Sequence, residues 1–569
     1  MRRLPQTSGS HPHISILPPL SLLLLLFQYL LDHAGLMRNS SVLLTLFRFL
    51  LPPALIGTVY LYLYPLFQQC SFPPAQAAEA ACHFGDASHT GSPSSPAPFR
   101  LLALADPQLE GDTSLPEELR GGGWLKGAKD GFWDGVRKAG RERAFDGIRP
   151  ALIGLLKDDA PRMFAGYRKK LDLWGNDLYL AHIYWLIHWW TDPTHVVVLG
   201  DLLGSQWIDD EEFERRSARF WQRVFKGAHR VPREVTDVNG RVEILGADAR
   251  WRDRLITVAG NHDIGYAGDI DTRRAERFEE EYGRLNWDVR FRTNDTTTPH
   301  EFYPPGLQSS QLAQQPPELH VVVLNSMNLD LPSLDMILHQ ESVDFLSETL
   351  HTGHTRPSEN SATVLLTHIP LHKEEGVCID APYFSYFPNS QGAGVKEQNH
   401  LSEDTSSHIL NGIFQTSAQN SIILNGHDHE GCDTYHYRSS TEPEVDAANG
   451  KDDQTAPWRA DKYYQSAAKS DAKRSEGLRE ITVRSMMGDY GGNIGLLSAW
   501  WDESAFKWRF EYDSCMLGVQ HIWWAVHVLD LIVLGLGLGG VTLAVVEAIK
   551  ELREEERSTL QGSETKKRI

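Results

Sequence analysis

The sequence predicts an α/β layered domain strung between two membrane-spanning helices. Three observations carry that prediction. Short runs rich in valine, isoleucine and leucine alternate with helical stretches from Phe99 to Tyr512. Several of those runs end at once in Asp, Asn or His. Two long apolar segments, 49–67 and 522–546, bracket the whole.

Composition narrows the partners. Against 55 Lys+Arg stand 75 Asp+Glu, a net charge of −20. An acidic chain with no basic stripe argues against a nucleic-acid partner. Five cysteines are too few and too scattered for a small disulfide scaffold, and no CxxC pair suggests a thiolate zinc site. Cys378 and Cys432 flank chemistry-bearing segments, so a bridge in an oxidising lumen and two separate thiols both stay open.

Residues 1–48 read as a cytosolic N-terminal segment. Within it, Pro18 to Leu31 is leucine-rich, and Leu22–Leu26 behind Arg2 and Arg3 resembles a signal-peptide core. No small-residue cleavage site closes that block, and a span follows, which favours a retained anchor. Residues 49–67 carry no charge and are long enough to cross hydrocarbon, with Pro52, Pro53 and Pro65 as kinks. Arg38 and Arg48 precede that span, and no Lys or Arg follows it until Arg100. By the positive-inside rule the N-terminus is cytosolic and the long middle lies across the membrane. Residues 68–98, rich in Ala, Ser and Pro from Pro73 onward, form a linker.

The domain proper is 99–512, with insertions at 111–192, 373–419 and 439–477. Phe99–Ala105 is a strand ending at Asp106-Pro-Gln108. The first insertion holds helical segments at Pro150–Leu156 and Leu171–Trp190. Most aromatics of the second read as core or membrane-proximal packing, and an exposed face of them would suit lipid. His195–Leu199 ends in Gly200-Asp201, and Glu211–Phe225 reads as an outer helix. Leu255–Ala259 runs into Gly260-Asn-His-Asp263. Leu319–Leu324 is a fourth strand, followed by a helix at Ser342–Leu350. Thr363–Thr367 is a fifth, ending at His368, and Ser421–Leu424 a sixth, ending Asn425-Gly-His-Asp-His429. Lys373 to Gln419, with the aromatic run Tyr383–Phe387, suits a lid or binding loop. Residues 439–477 are polar and charged enough for a disordered or loosely held insertion. Arg479–Arg484, Ile494–Trp500 and Phe506–Tyr512 then supply strands for a second sheet.

The second span, 522–546, is apolar but for His527, Asp530 and Thr542, with Trp523 and Trp524 suited to an interfacial belt. Asp530 reads as lying near the interface. Gly535 and Gly539 have the spacing of a close-packing motif, with ordinary membrane glycine enrichment as the commoner explanation. Lys550, Arg553 and Arg557 make 547–569 a second cytosolic tail. The terminal Lys566-Lys567-Arg568-Ile569 resembles a dilysine endoplasmic-reticulum retrieval signal, which cytosolic coat machinery would read. The sequon at Asn294 agrees with a lumenal, glycosylated middle.

Five strand ends thus deliver Asp106 and Gln108, Asp201, Asn261 and His262, His368, and His427 and His429. Ligands from several strand ends can converge on one crevice. Mixed oxygen and imidazole donors suit Mn²⁺, Fe²⁺ or Zn²⁺ rather than Ca²⁺, and there are enough for two ions.

The order D-x-Q, GD, GNHD, H and GHDH resembles the calcineurin-like metallophosphoesterase superfamily across Phe99–Tyr512. The ADPQ opening, the aromatic helix with Gly175-Asn-Asp177 and the flanking spans resemble, more narrowly, the fungal Cdc/Ted-type endoplasmic-reticulum phosphodiesterases that remodel glycosylphosphatidylinositol (GPI) anchors. The resemblance implies a metallophosphoesterase-type β-sandwich flanked by helices. It implies one metal held by Asp106, Gln108, Asp201 and His429, and a second by Asp201, Asn261, His368 and His427. It makes His262 the general acid, oriented by Asp263. The implied reaction removes a side-branch ethanolamine phosphate from the mannose core of GPI anchors, with GPI-anchored proteins as substrate and their maturation and export as the outcome. Two departures matter: Gln108 stands where many relatives have His, which favours Mn²⁺, and Gly204 where a group supporting Asp201 is common. Another lumenal phosphate ester is an alternative substrate, and a non-catalytic adaptor for GPI-anchored cargo is the alternative from a different class.

Overall fold

The computed structural model describes residues 39–75, 95–111, 160–293, 316–350, 360–417, 421–438, 457–464 and 477–566. The leucine block near the N-terminus, the helix expected at 150–156, the Asn294 sequon, most of 439–477 and the last three residues of the retrieval-like tail lie outside them. The chain divides into one compact unit of 1–62 with 521–569, and a second of 63–520.

The first unit is built on two helices long and apolar enough to cross a membrane. Helix α1 is Asn39–Tyr62, so it begins well ahead of residue 49 and ends before 67. The later apolar helix runs from Gln520 to Lys566, past the expected end of the span at 546. Thr58 Oγ1 donates to Asp530 at 2.9–3.0 Å, so the one carboxylate in the apolar stretch is held by a partner helix. Close packing falls at Gly537 and Gly540 rather than at the Gly535/Gly539 pair. A Cβ on those two would come within 2.9 Å of Phe47 and 2.8 Å of Leu44, whereas one on Gly535 would meet nothing within 4 Å.

Among the described residues the second unit contains sixteen strands. In chain order they are β1 (Phe99–Leu104), β2 (His195–Leu199), β3 (His229–Arg230), β4 (Arg241–Ile244), β5 (Arg254–Val258), β6 (Trp287–Arg292), β7 (Glu318–Val323) and β8 (Ser361–Leu366). Then come β9 (Phe384–Tyr386), β10 (Val395–Gln398), β11 (Ile422–Asn425), β12 (Cys432–Arg438), β13 (Trp458–Lys462), β14 (Gly477–Thr482), β15 (Asn493–Asp502) and β16 (Lys507–Met516). One sheet has the order β16-β15-β1-β2-β5-β3 and the other β13-β12-β14-β11-β8-β7-β6-β4, with β9 and β10 a separate hairpin. Strand β13 falls inside the stretch expected to be loosely held.

Strand alternation explains why the sheets adhere. Leu101 and Ala103 of β1, Val197 and Leu199 of β2, and Ile256 and Val258 of β5 share one buried layer with Val289 and Phe291 of β6, Val321 of β7, Leu366 of β8 and Leu424 of β11. That is the period-two pattern of two inner faces meeting. β1, β2 and β5 run parallel, as do β7, β8, β11 and β14. Their carboxyl ends therefore gather at one edge of each sheet.

Helix α2 (Ala160–Thr191) lies along this domain, and α3 (Asp210–Arg219) holds it. Arg219 and Arg223 both pair with buried Asp177 at 2.7 Å. Disulfides join Cys70 to Cys515 and Cys378 to Cys432. The second settles the choice left open in the sequence; the first was not foreseen.

Candidate metal centre

The carboxyl-end edge carries every residue expected there. Asp201 is the hub. Its oxygens lie 3.0 Å from Gln108 Nε2, 3.4 Å from His368 Nε2 and 3.7 Å from His262 Nε2, and accept the His262 amide at 2.9 Å. Gln108 Nε2 is 3.1 Å from His429 Nε2. Asn261 Oδ1 lies 3.1 Å from His368 Nε2 and 3.0 Å from His427 Nδ1. Asp106 Oδ1 accepts the His427 amide at 3.2 Å. Asp106, Asp201 and His429 each offer a ligand atom, all within 4.8 Å of one another.

Backbone form sets this up. Asp106, Gln108, Asp201 and His427 all adopt left-handed φ, between 42° and 72°. Such residues are costly, and they cluster where a site over-determines the chain. Two glycines of the motifs are needed for close approach. A Cβ on Gly200 would sit 2.1 Å from His368 Nδ1, and one on Gly426 would sit 2.6 Å from Leu199 O.

The donors suit divalent cations. Asp106 Oδ2 is buried and meets no hydrogen-bond donor. Burial, and next the Asp201 charge, push the Asp106 carboxyl well above its ordinary range. Burial acts upward on Asp201 too, but His368, His262 and His427 outweigh it and hold that carboxyl low. Among the described residues no lysine or arginine forms an ion pair with either. Asp106, raised and with an orphaned oxygen, is the kind of buried carboxylate that a bound cation would relieve. Burial also lowers His368, and takes His427 down to about 3, so both imidazoles keep a lone pair to donate. His368 Nδ1 faces Leu199 O at 2.8 Å, a contact that fixes the ring and leaves Nε2 for a metal.

One expectation is corrected. Asp263 does not orient His262: its carboxylate accepts the amides of Leu202, Leu203 and Gly260 at 2.9–3.1 Å, while His262 Nδ1 is buried without a partner. Asp263 is a clamp between the loops that carry Asp201 and Asn261, because three converging N–H groups claim both oxygens. Gln108 turns its amide nitrogen, not its oxygen, to Asp201 and His429. Two neighbouring acceptors favour the NH₂, and a half-turn of the amide exchanges the atoms. The doubt raised by Gly204 is answered by Gln108 and the His262 amide, which support Asp201 instead.

A cavity of about 510 Å³ opens over Asp201, Asn261, His262, His427 and His429. Its outer wall comes from the 373–419 insertion, through Asp380, Phe387, Lys396, Glu397 and Asn399, together with Trp207 and Tyr266. The sequence marks this insertion as a lid or binding loop, without singling out Asp380, Lys396, Glu397, Asn399, Trp207 or Tyr266. Only Phe387, within the aromatic run, left any signal. Gln398 was missed too, although its carbonyl faces His427 Nε2 at 2.9 Å.

No family model matches the chain. It is 30% identical to Protein TED1 of Saccharomyces cerevisiae over 410 residues, 64% of this chain and 76% of the relative. It is 26% identical over 403 residues to an uncharacterized protein of Schizosaccharomyces pombe, 67% of this chain and 82% of that one.

Proposed function

The chain belongs to the family of Protein TED1, and from that footing we propose that it is a membrane-anchored, two-metal phosphodiesterase. One observation carries the reading: side chains from five separate strand ends meet within hydrogen-bonding or ion-pairing distance around Asp201. Their contacts fall into two groups joined by Asp201. Gln108 and His429 touch on one side with Asp106 near, and Asn261, His368 and His427 on the other. This supports the assignment of one cation to each group.

Cations bound there would supply an acidified water and neutralise charge on the phosphoryl oxygens. The chain's own residues do the rest. His262, 36% exposed in its side chain and facing the cavity, gives a proton to the departing oxygen. The Asp263 clamp fixes the backbone on which His262 stands. His368 and His427 stay neutral, and Phe387 and Trp207 narrow the approach of water.

The resemblance extends the proposal to the substrate: ethanolamine phosphate on a mannose of the GPI core, in the lumen of the endoplasmic reticulum, with both termini cytosolic and Lys566-Lys567 recruiting coat proteins. Purified full-length protein tests the chemistry. Mn²⁺-dependent hydrolysis of an aryl phosphodiester, lost in His262→Ala, is expected. Activity equal in both removes His262 from its role, and none with Mn²⁺, Zn²⁺ or Fe²⁺ favours the adaptor. Mass spectrometry of GPI glycans from cells lacking the protein tests the substrate; an extra ethanolamine phosphate is expected, and an unchanged profile discards it.

A further inference from the structure

Helix α2 outruns the sheet it lies beside. Its C-terminal end is fixed where the strands begin, with His188 Nε2 at 2.9 Å from Arg252 O, just ahead of β5. Higher up, Tyr179 OH donates to Tyr490 O and Gly518 O at 2.8 and 2.6 Å, and Gln520 Nε2 to Asn176 Oδ1 at 2.7 Å. Lys169 then pairs at 2.7 Å with Glu110, two positions past Gln108. Residues 160–174 thus extend beyond the metal-ligand edge, and Phe164 to Trp174 alone spans about 15 Å of helix.

One face of that extension is apolar. Phe164, Tyr167, Leu171 and Trp174 are 71%, 53%, 54% and 46% exposed, at the spacing that stacks side chains along a single stripe. Strand register puts two further points of the domain at the same edge. β1 pairs with β15 so that Ala103 faces Gly495, and β15 begins at Asn493 opposite Met516, the last residue of β16. Met516 therefore stands at the edge that holds Asp106, and the long apolar helix starts at Gln520. The Cys70–Cys515 bridge ties the segment following α1 to the same edge. Met516 and the bridge thus both stand at the edge that carries the cavity residues.

We propose that the projecting half of α2, through Phe164, Tyr167, Leu171 and Trp174, lies in the lipid interface, with the metal centre opening toward the bilayer surface. The proposal rests on reading the two apolar helices as membrane spans. Tryptophan and tyrosine, with an apolar body and a polar tip, are the side chains that settle at headgroup depth. A phosphodiester carried on a membrane lipid then reaches the cavity without leaving its bilayer, whereas a soluble ester gains nothing from this arrangement.

The same helix supplies its own control. Trp189 is 66% exposed on the same stripe but at the opposite edge, next to His188 and its contact with Arg252. Full-length protein carrying Cys82→Ser and a single fluorophore at either Leu171→Cys or Trp189→Cys is reconstituted into phosphatidylcholine vesicles, and nitroxide-labelled phosphatidylcholine is added. Quenching several-fold stronger at 171 than at 189 is expected. Equal quenching, or none at 171, overturns the proposal and leaves the stripe to solvent or to another protein segment. A second arm replaces Phe164, Tyr167, Leu171 and Trp174 by serine. Turnover of a soluble aryl diester is expected to hold while that of a lipid-borne diester falls several-fold; a parallel loss of both overturns the lipid role. If the unaltered protein hydrolyses neither, the enzymatic reading fails while the quenching ratio still judges this one.

Discussion

Glu480 and Asp106 are both carboxylates sealed from solvent, and their surroundings are opposites. Glu480 accepts from Lys373 Nζ at 2.8 Å, the Leu371 amide at 2.8 Å and Asn425 Nδ2 at 2.6 Å, and meets His436 Nε2 at 2.6 Å. Burial pushes its carboxyl up, but Lys373 and His436 outweigh that and hold it far below the usual range. Asp106 has one amide and one orphaned oxygen, and burial together with Asp201 pushes it up. A buried anion with its own cation is architecture; one without carries an uncompensated cost that an outside cation would relieve. The two are also linked. Glu480 grips Leu371, three residues after His368, and Asn425, two before His427, so the finished cluster braces the loops of the open one.

The contrast breaks most visibly at Asp201. Asp201→Asn should lower metal-dependent hydrolysis by more than the ~10–100-fold that follows loss of a supporting contact alone, with bound metal lost by elemental analysis. Retained metal and activity would sink the hub assignment. Lys373→Met attacks the other cluster. Stranding Glu480 should cost about 3–5 kcal/mol in a denaturation experiment, against far less for Lys373→Met combined with Glu480→Gln. Chelation should come next, removing about 2.7 kcal/mol if the free metal stood near a hundredfold over its dissociation constant. Asp106→Asn sharpens this point: its chelated form should melt above the chelated parent, because a repelled carboxylate is gone, while metal no longer raises its melting temperature.

The smallest effect is in pH. His427 has a folded value of about 3 against 6.5 for the free side chain, so between those values the unfolded chain binds the extra proton. Stability in chelator is therefore fully present above pH 6.5 and falls on acidification, by up to ~1.4 kcal/mol per pH unit from this group. His427→Gln should have the shallower slope across that window; parallel slopes would deny that His427 is held neutral.

The strands that feed the site were legible because burial on both faces leaves continuous apolar runs. His195–Leu199 is buried throughout and matches its expected bounds. Strand β6 was passed over because its Arg290 and Arg292 look like loop chemistry. Both are neutralised at 2.8–2.9 Å by Glu318 of β7, a pairing that only the register reveals. In the same way Cys432–Arg438 hides buried Thr434 and His436 behind polar letters that Glu480 satisfies. The expected metal ligands were readable since each lies within four positions of a strand end. The Asp263 clamp was not, since its partners are backbone amides, which no residue letter encodes.

The bridge between Cys70 and Cys515 spans 445 positions and clasps the chain just inside its two apolar helices. It cannot close until synthesis has passed residue 515, so the domain gains this restraint only when nearly all of its chain has been made. Once closed, a protease nick anywhere between the two cysteines severs the polypeptide without releasing either half, and the fragments travel as one molecule until a reductant parts them.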